Sequence, residues 1–443
     1  MRKICLALPT DRECCATIAA LGEEAARAAG RFGAEVHLLI LDSAPGAARA
    51  AHARAVAALP GAPGVVVHHL DEPRQRAFLD GVVRRAAVTG PGRLLDLMLP
   101  DGVSYGACTN RAFLFAAALG CVSVHRRDSD SRYQTSGGEP VRPLPLELAF
   151  LGRRAADAAR EVTVNELDAR ELGTDVMLVG GSFVGELSVD VGEIAVRDPD
   201  IYHDLVSLWA PADWSAGQRT ALVAASFRGA GQETYTGDRT VLTHVDALHV
   251  DMCNIAFHHH VYERVPLSPA RDTIGSDYVL IRAVHGATLP GVRHNRHIVN
   301  FHTPQRRTRA GFLAYQMRYV RFILSMLYFH PVYDRMAAAG SALLDAGHRL
   351  RPEAVVEFLR ESTRQDTARN TEALGVLDRS YRRLGGRYGE LADLVAARAP
   401  RLLAEARTDI EEYVLLIEGW EALVRASRAV GPATLEAVTS GRR

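Results

Sequence analysis

The stretch Cys108–Tyr133, CTNRAFLFAAALGCVSVHRRDSDSRY, decides how this chain reads, because helix, strand and polar loop follow one another in it without a gap. Asn110 to Leu119 carries apolar residues at helical spacing, and Gly120 supplies the C-terminal stop. Cys121-Val122-Ser123-Val124 is a short β-branched run suited to a buried parallel strand. It leads directly into His125-Arg126-Arg127-Asp128-Ser129-Asp130. Residues i and i+2 of extended backbone point the same way, so Asp128 and Asp130 can face one hard cation together. Open α/β sheets keep their chemistry at the carboxyl ends of strands, which makes this loop the expected floor of a site. An Asp-x-Asp pair is common, and most such pairs are solvated or cap helices. The strand feeding this one, and the flanking Arg126, Arg127 and Arg132, favour a metal.

Toward the N-terminus the same alternation repeats. Ile4 to Leu8 is an apolar strand stopped by Pro9-Thr10-Asp11-Arg12, and Glu13 to Ala29 is a helix closing at Gly30. Val36 to Leu41 is a second strand ending in Asp42-Ser43, Val65 to His69 a third, and Asp71 to Ala87 a further helix. Strands and helices in steps of roughly 30 residues predict a doubly wound sheet. No G-x-G-x-x-G follows the first strand and no G-x-x-x-x-G-K-[ST] occurs, which disfavours a Rossmann dinucleotide site and a P-loop.

Beyond the opening stretch, Leu146 to Val162 reads as one helix. Asp175 to Asp190 is β-rich, and Gly180 and Gly181 allow either a bulge that admits a ligand or an ordinary hairpin. Val241 to Val250 is a candidate strand, Gly275-Ser276-Asp277 opens an apolar helix, and Ile298 to Gln305 is a last strand ending near His302. From about Arg306 helical patterns dominate: Arg309 to His330, Pro352 to Ser380, Tyr388 to Ala399 and Asp409 to Ala429. Pro331 and Pro400 are expected to end or kink their helices. The division is therefore 1–305, α/β, and 306–443, α-helical.

The 443 residues are 48% hydrophobic, ample for a large core, and the formal net charge is zero. That balance gives no electrostatic case for nucleic acid or an acidic membrane surface. Six cysteines show no zinc spacing and read as free thiols in a reducing cytoplasm. Met1-Arg2-Lys3 leads straight into a strand, so no signal peptide is read, and no apolar run is long enough to cross a membrane. The Arg309–His330 segment is amphipathic, and the C-terminal helices offer a surface for self-association.

Taken in order, these pieces resemble a nucleotide-sugar-dependent glycosyltransferase of the GT-A fold, DxD-containing and family-2-like, over roughly residues 1–305. The resemblance implies a mixed sheet flanked by helices and the transfer of a sugar from a UDP- or GDP-sugar to a small-molecule or natural-product acceptor. It implies that Pro9, Thr10 and Arg12 hold the nucleotide, that Asp42 reads base or ribose, and that Asn110 and Arg111 add polar contacts. Asp128-Ser129-Asp130 matches the D-x-D motif, with Asp128 toward ribose or metal and Asp130 on the metal, Mn²⁺ or Mg²⁺. His302 matches the imidazole that often completes the metal site, and one such ligand tilts the choice toward Mn²⁺. Asp277 matches the acceptor-side acid and is the candidate base, although a helix N-terminus would lower its basicity or give it a capping role.

His258-His259-His260 invites a different chemistry. Adjacent strand residues face opposite ways, so at most His258 and His260 would share a metal, joined by His294, His297 or His302. Without H-E-x-x-H or paired C-x-x-C this zinc reading ranks below the transferase, and His260 is assigned to the acceptor pocket. A sugar nucleotidyltransferase ranks lower too, since PTDREC has an Arg but no Gly. A non-catalytic nucleotide-binding or scaffolding protein, with the helical tail as its working part, is the reading from outside enzymology.

Overall fold

The computed structural model describes residues 1–440, with side chains through residue 431. Its architecture is the expected one: a large mixed sheet flanked by helices, followed by a helical C-terminal region. Strands β1 (Lys3–Thr10), β2 (Glu35–Asp42), β3 (Val65–Asp71) and β4 (Ser123–Arg127) are parallel, in the order β3-β2-β1-β4. The nine-stranded sheet continues from β4 through Asn254–His258, Leu178–Gly180, Gly291–His294, Thr240–Thr243 and Val164–Asn165. Asn254–His258 runs antiparallel to β4, with Asn254 opposite Arg127 and His258 opposite Ser123. The two ends of that strand therefore lie at opposite edges of the sheet.

Period-two alternation explains why the first strands are so apolar. Ile4, Leu6 and Leu8 enter one core with Leu38, Ile40, Ile18, Leu21 and Leu148. Cys5 and Ala7 enter the other, with Leu39, Leu41, Phe113, Phe115 and Trp420. Both faces are covered by helices, so neither tolerates polarity. Phe115 stacks on Phe78 at 4.1 Å and Phe113 on Tyr262 at 4.7 Å between ring centroids. Each such ring buried contributes about 1.5–3 kcal/mol.

The helix of the opening stretch spans Tyr105–Leu119, capped by Ser104, which accepts from the Ala107 amide at 3.1 Å, and closed by Gly120 at φ 71°. The loop after β4 then crosses to a second, three-stranded sheet, where Ser131–Tyr133 pairs with Ile298–Asn300 and that strand with Phe183–Gly185. Two sheets thus grip the D-S-D loop at both ends.

Other boundaries differ from the sequence reading. Leu146 to Val162 is not one helix but Leu144–Phe150 and Ala155–Ala158, parted where Gly152 (φ 75°) donates to the Val176 carbonyl at 2.8 Å. The strand expected over Val241–Val250 stops at Thr243, and that over Ile298–Gln305 stops at Asn300. Pro352–Ser380 divides into Pro352–Ser362 and Ala368–Leu384. Neither proline ends its helix. Arg309–Ala339 continues through Pro331, and a single helix from Arg387 runs through Pro400 to a break at Gly431 (φ 68°), then on to Ser440. Phe329, Val332 and Met336 are buried around Pro331, and that packing offsets the lost backbone bond. The C-terminal helices share the large core with the sheet: Trp420, Leu416 and Tyr319 belong to the same cluster as Phe113 and Leu39. No helix among the described residues is long and apolar enough to cross a membrane.

Candidate active site

Strand β4 sorts its side chains by parity. Ser123, His125 and Arg127 turn toward Glu147 and Glu24, while Arg126 turns the other way, into a cavity of about 320 Å³ at the carboxyl ends of β1 and β4. The buried Arg126 guanidinium bridges two carboxylates, Asp277 Oδ2 at 2.7 Å and Asp128 Oδ1 at 3.0 Å. Arg12, on the turn after β1, holds Asp130 Oδ2 at 2.8 Å. Arg306 approaches the same oxygen at 3.7 Å and lies 4.2 Å from the Tyr315 ring centroid. A fourth carboxylate, Asp251, accepts from the Tyr278 hydroxyl at 2.6 Å.

This crowding shows in the proton affinities. Burial pushes the Asp128 carboxyl up to about 6; Arg126 opposes the rise, and the charges of Asp130, Asp251 and Asp277 add to it. Asp277 is raised as well, by burial first, against the pull of Arg126. It does not cap the helix that follows, which starts at Val279 after Tyr278. The feared loss of basicity at a helix end therefore does not arise.

Arg111 is buried in the cavity wall and donates from Nη1 to the Met98 carbonyl at 2.6 Å; its Nε, like that of Arg126, is buried with no partner. Among the described residues no carboxylate forms an ion pair with it, and burial lowers its pKa. A desolvated guanidinium lacking a counter-ion is an anion receptor in waiting.

The opposite end of the cavity is apolar. Trp209, Phe227 and Phe322 enclose a box with ring centroids 6.0–6.4 Å apart, and Ile274, Met326 and Tyr333 extend it. Gly275 (φ 72°) permits this, since a Cβ there would stand 2.9 Å from the Phe322 ring.

Of the residues singled out from the sequence, Pro9, Thr10, Arg12, Arg111, Asp128, Asp130 and Asp277 line this one cavity. The rest go elsewhere. Asp42 is fully buried, and its oxygens meet the Ala44 amide at 2.9 Å, His52 at 2.9 Å and His69 at 2.7 Å; Leu41 and Ser43 face the cavity instead. Asn110 staples the Leu267 backbone with two 2.8 Å bonds. Gly180 lies within its strand and Gly181 packs against Asn254 and His294, so neither touches the cavity. His260 follows His258 at the far edge of the sheet. His302 turns its ring to the Leu187 carbonyl at 2.8 Å and lies near Glu186 and Asp190.

The expected triad of Asp128, Asp130 and His302 thus does not assemble: among the described residues no cluster of three metal-ligating side chains contains any of them. What remains for a cation is an oxygen set, Asp128 and Asp130 with Asp251 and Asp277 behind them. An all-oxygen set fits a hard divalent ion, and without the imidazole the tilt toward Mn²⁺ over Mg²⁺ disappears. The sequence reading missed Arg126 as a bridge, although its i, i+2 relation to Asp128 was visible. It missed Asp251 because an acid before a strand reaches this edge only if that strand is antiparallel.

Solved structures with some likeness include a mycobacterial protein, 16% identical over 73% of this chain and 74% of that one, TM-score 0.32. Another is a mannosyltransferase, PcManGT from Pyrobaculum calidifontis, in complex with GDP-Man and Mn²⁺, 12% identical over 96% of this chain and 86% of that one, TM-score 0.34. At such TM-scores neither bears on the chemistry. No curated protein matches the sequence. A family model does match, over residues 2–436, and the chain belongs to that family of unknown function, DUF6271.

Proposed function

We propose that this protein is a divalent-cation-dependent glycosyltransferase that moves a sugar from a nucleoside diphosphate donor, UDP- or GDP-linked, to a small-molecule acceptor with an apolar body. One observation carries the reading. A single cavity holds the Asp128/Asp130 pair, the two guanidiniums that hold Asp130, and the unpaired guanidinium of Arg111. Acids for a cation and bases for its diphosphate stand side by side there.

Arg111, with its open Nε, and Arg12 and Arg306, which can exchange Asp130 for a stronger anion, would grip the diphosphate oxygens. A divalent ion on Asp128 and Asp130, when bound, neutralises charge on the departing diphosphate without proton transfer. The acceptor hydroxyl lies toward Asp277, whose raised proton affinity suits a base and whose orientation Arg126 fixes. Its oxygen bonds to the anomeric carbon as that carbon's bond to the diphosphate breaks. The diphosphate keeps the bonding electrons, the hydroxyl proton passes to Asp277, and the sugar carbon inverts. The Trp209–Phe227–Phe322 box would seat the acceptor's apolar part.

A thermal-shift panel of nucleoside diphosphates with and without Mg²⁺ or Mn²⁺ tests this. UDP or GDP is expected to raise the melting temperature only when the cation is present. No shift with any nucleoside diphosphate sinks the proposal.

A further inference from the structure

The three consecutive histidines at the far edge of the sheet are closer together than strand alternation allows. The reason lies in the backbone: the strand ends at His258 and a short helix, His259–Tyr262, begins at the next residue. The chain turns as the side chains emerge, so all three converge. Ring centroids lie 4.2–4.7 Å apart, and one ring nitrogen from each lies within 4.8 Å of the other two.

The rings are half-buried, and their lone pairs are largely unspent. Nδ1 of His258 is buried without a hydrogen-bond partner. Nδ1 of His259 faces Glu263 Oε2 at 3.3 Å, and Arg428 holds Glu263 in turn at 2.7 Å. A carboxylate on one imidazole nitrogen, leaving the other for a metal, is the usual outer support of such ligands.

A second cluster, Asp42 with His52 and His69, shows what a spent site looks like. His52 there meets Asp42 through Nδ1 at 2.9 Å and accepts the Cys14 amide on Nε2 at 3.0 Å, so no lone pair is left for an ion. That group is a structural brace. The 258–260 group is not so closed.

We infer that His258, His259 and His260 form a transition-metal site, of the Zn²⁺ class, remote from the candidate active site. Three imidazoles leave a fourth position for water or an outside ligand. The bound ion ties the end of the central strand to the helix after it and, through Glu263 and Arg428, to the long C-terminal helix. This inference does not rest on the glycosyltransferase reading.

Calorimetric titration of metal-free full-length protein with Zn²⁺, together with the visible spectrum of its Co²⁺ form, is the test. One tightly bound ion per chain that is lost in His260→Gln, and the intense absorption of tetrahedral Co²⁺, are expected. His260→Gln should weaken Zn²⁺ more than about 100-fold and Glu263→Gln about 10-fold, the scale set by losing an outer partner. Half-exposed His260 is the test position because His258→Ala risks the fold, and circular dichroism on each variant verifies folding. Absence of the tetrahedral Co²⁺ signal, or Zn²⁺ binding unchanged in folded His260→Gln, overturns the assignment.

Discussion

Arg126 and Arg127 are neighbours on one strand, both buried, yet they serve opposite kinds of charge cluster. Around Arg127 each acid faces a cation or a donor: Glu147 at 3.0 Å and Glu24 at 3.6 Å from the guanidinium, His125 on Glu147 at 2.7 Å, and the Tyr133 hydroxyl on Glu24 at 2.5 Å. Burial would raise the Glu147 carboxyl, but Arg127 and His125 outweigh it and hold the group down at about 2. Around Arg126 two of three nearby acids move the other way, Asp128 to about 6 and Asp277 upward. One face closes on itself; on the other, Arg126 holds Asp128 and Asp277, Arg12 and Arg306 converge on Asp130, and Arg111 stands apart from all of these acids. Glu147 is held charged by the partners it already has, whereas Asp128 and Asp277 are crowded in a cavity wall, the setting in which shifted carboxyls mark a candidate site.

Four experiments press on that contrast. Glu147→Ala strands a buried guanidinium and should cost about 3–5 kcal/mol in urea unfolding. A loss under about 1 kcal/mol would show the fastening to be ornamental. Asp277→Asn should leave the fold intact and slow transfer about 10²–10⁴-fold in an assay of the donor-cleaving step. An unchanged rate would remove it as the base. Arg111→Met should weaken nucleoside diphosphate binding by about 1.5–3 kcal/mol, read by titration at fixed salt. Equal affinity would leave the lone guanidinium without a purpose.

The smallest effect is a pH dependence with opposite signs on the two faces. Glu147, depressed from 4.5 to about 2, contributes stability that is present above 4.5 and lost as pH falls toward 2. Asp128, raised from 3.8 to about 6, contributes stability that is complete below 3.8 and lost as pH rises through 6. Asp128→Asn should therefore stabilise the protein at pH 8 by about 1 kcal/mol, a modest figure because a side chain partly open to water is screened. Melting curves at pH 5 and pH 8 test it, and a variant less stable than the parent at both values contradicts the sign.

The first four strands were legible because burial on both faces makes them continuous apolar runs: Val36 to Leu41 lies wholly inside Glu35–Asp42. Past Leu146 the strands shorten to two to five residues, and their partners lie some fifty residues away or more, so local pattern said little. Within the site, Arg12, Arg111, Asp128, Asp130 and Asp277 were reachable as polar residues near strand or helix ends. Asp42 and His302 stand at equally plausible strand ends, yet their side chains turn to other partners. Which way a side chain turns there depends on neighbours such as His52 and Leu187, distant in sequence from it. The histidine triad was misjudged for a sharper reason: alternation was applied across a point where the strand had already ended.

The helix Arg309–Ala339 supplies Tyr315, Phe322, Met326 and Tyr333 to the cavity while loops beside the sheet supply its acids. Under the proposed function, exchanging the helical third for a relative's would alter the walls around Asp277 and Arg306 together with the apolar box, whereas point changes at Phe322 or Met326 would alter the box alone.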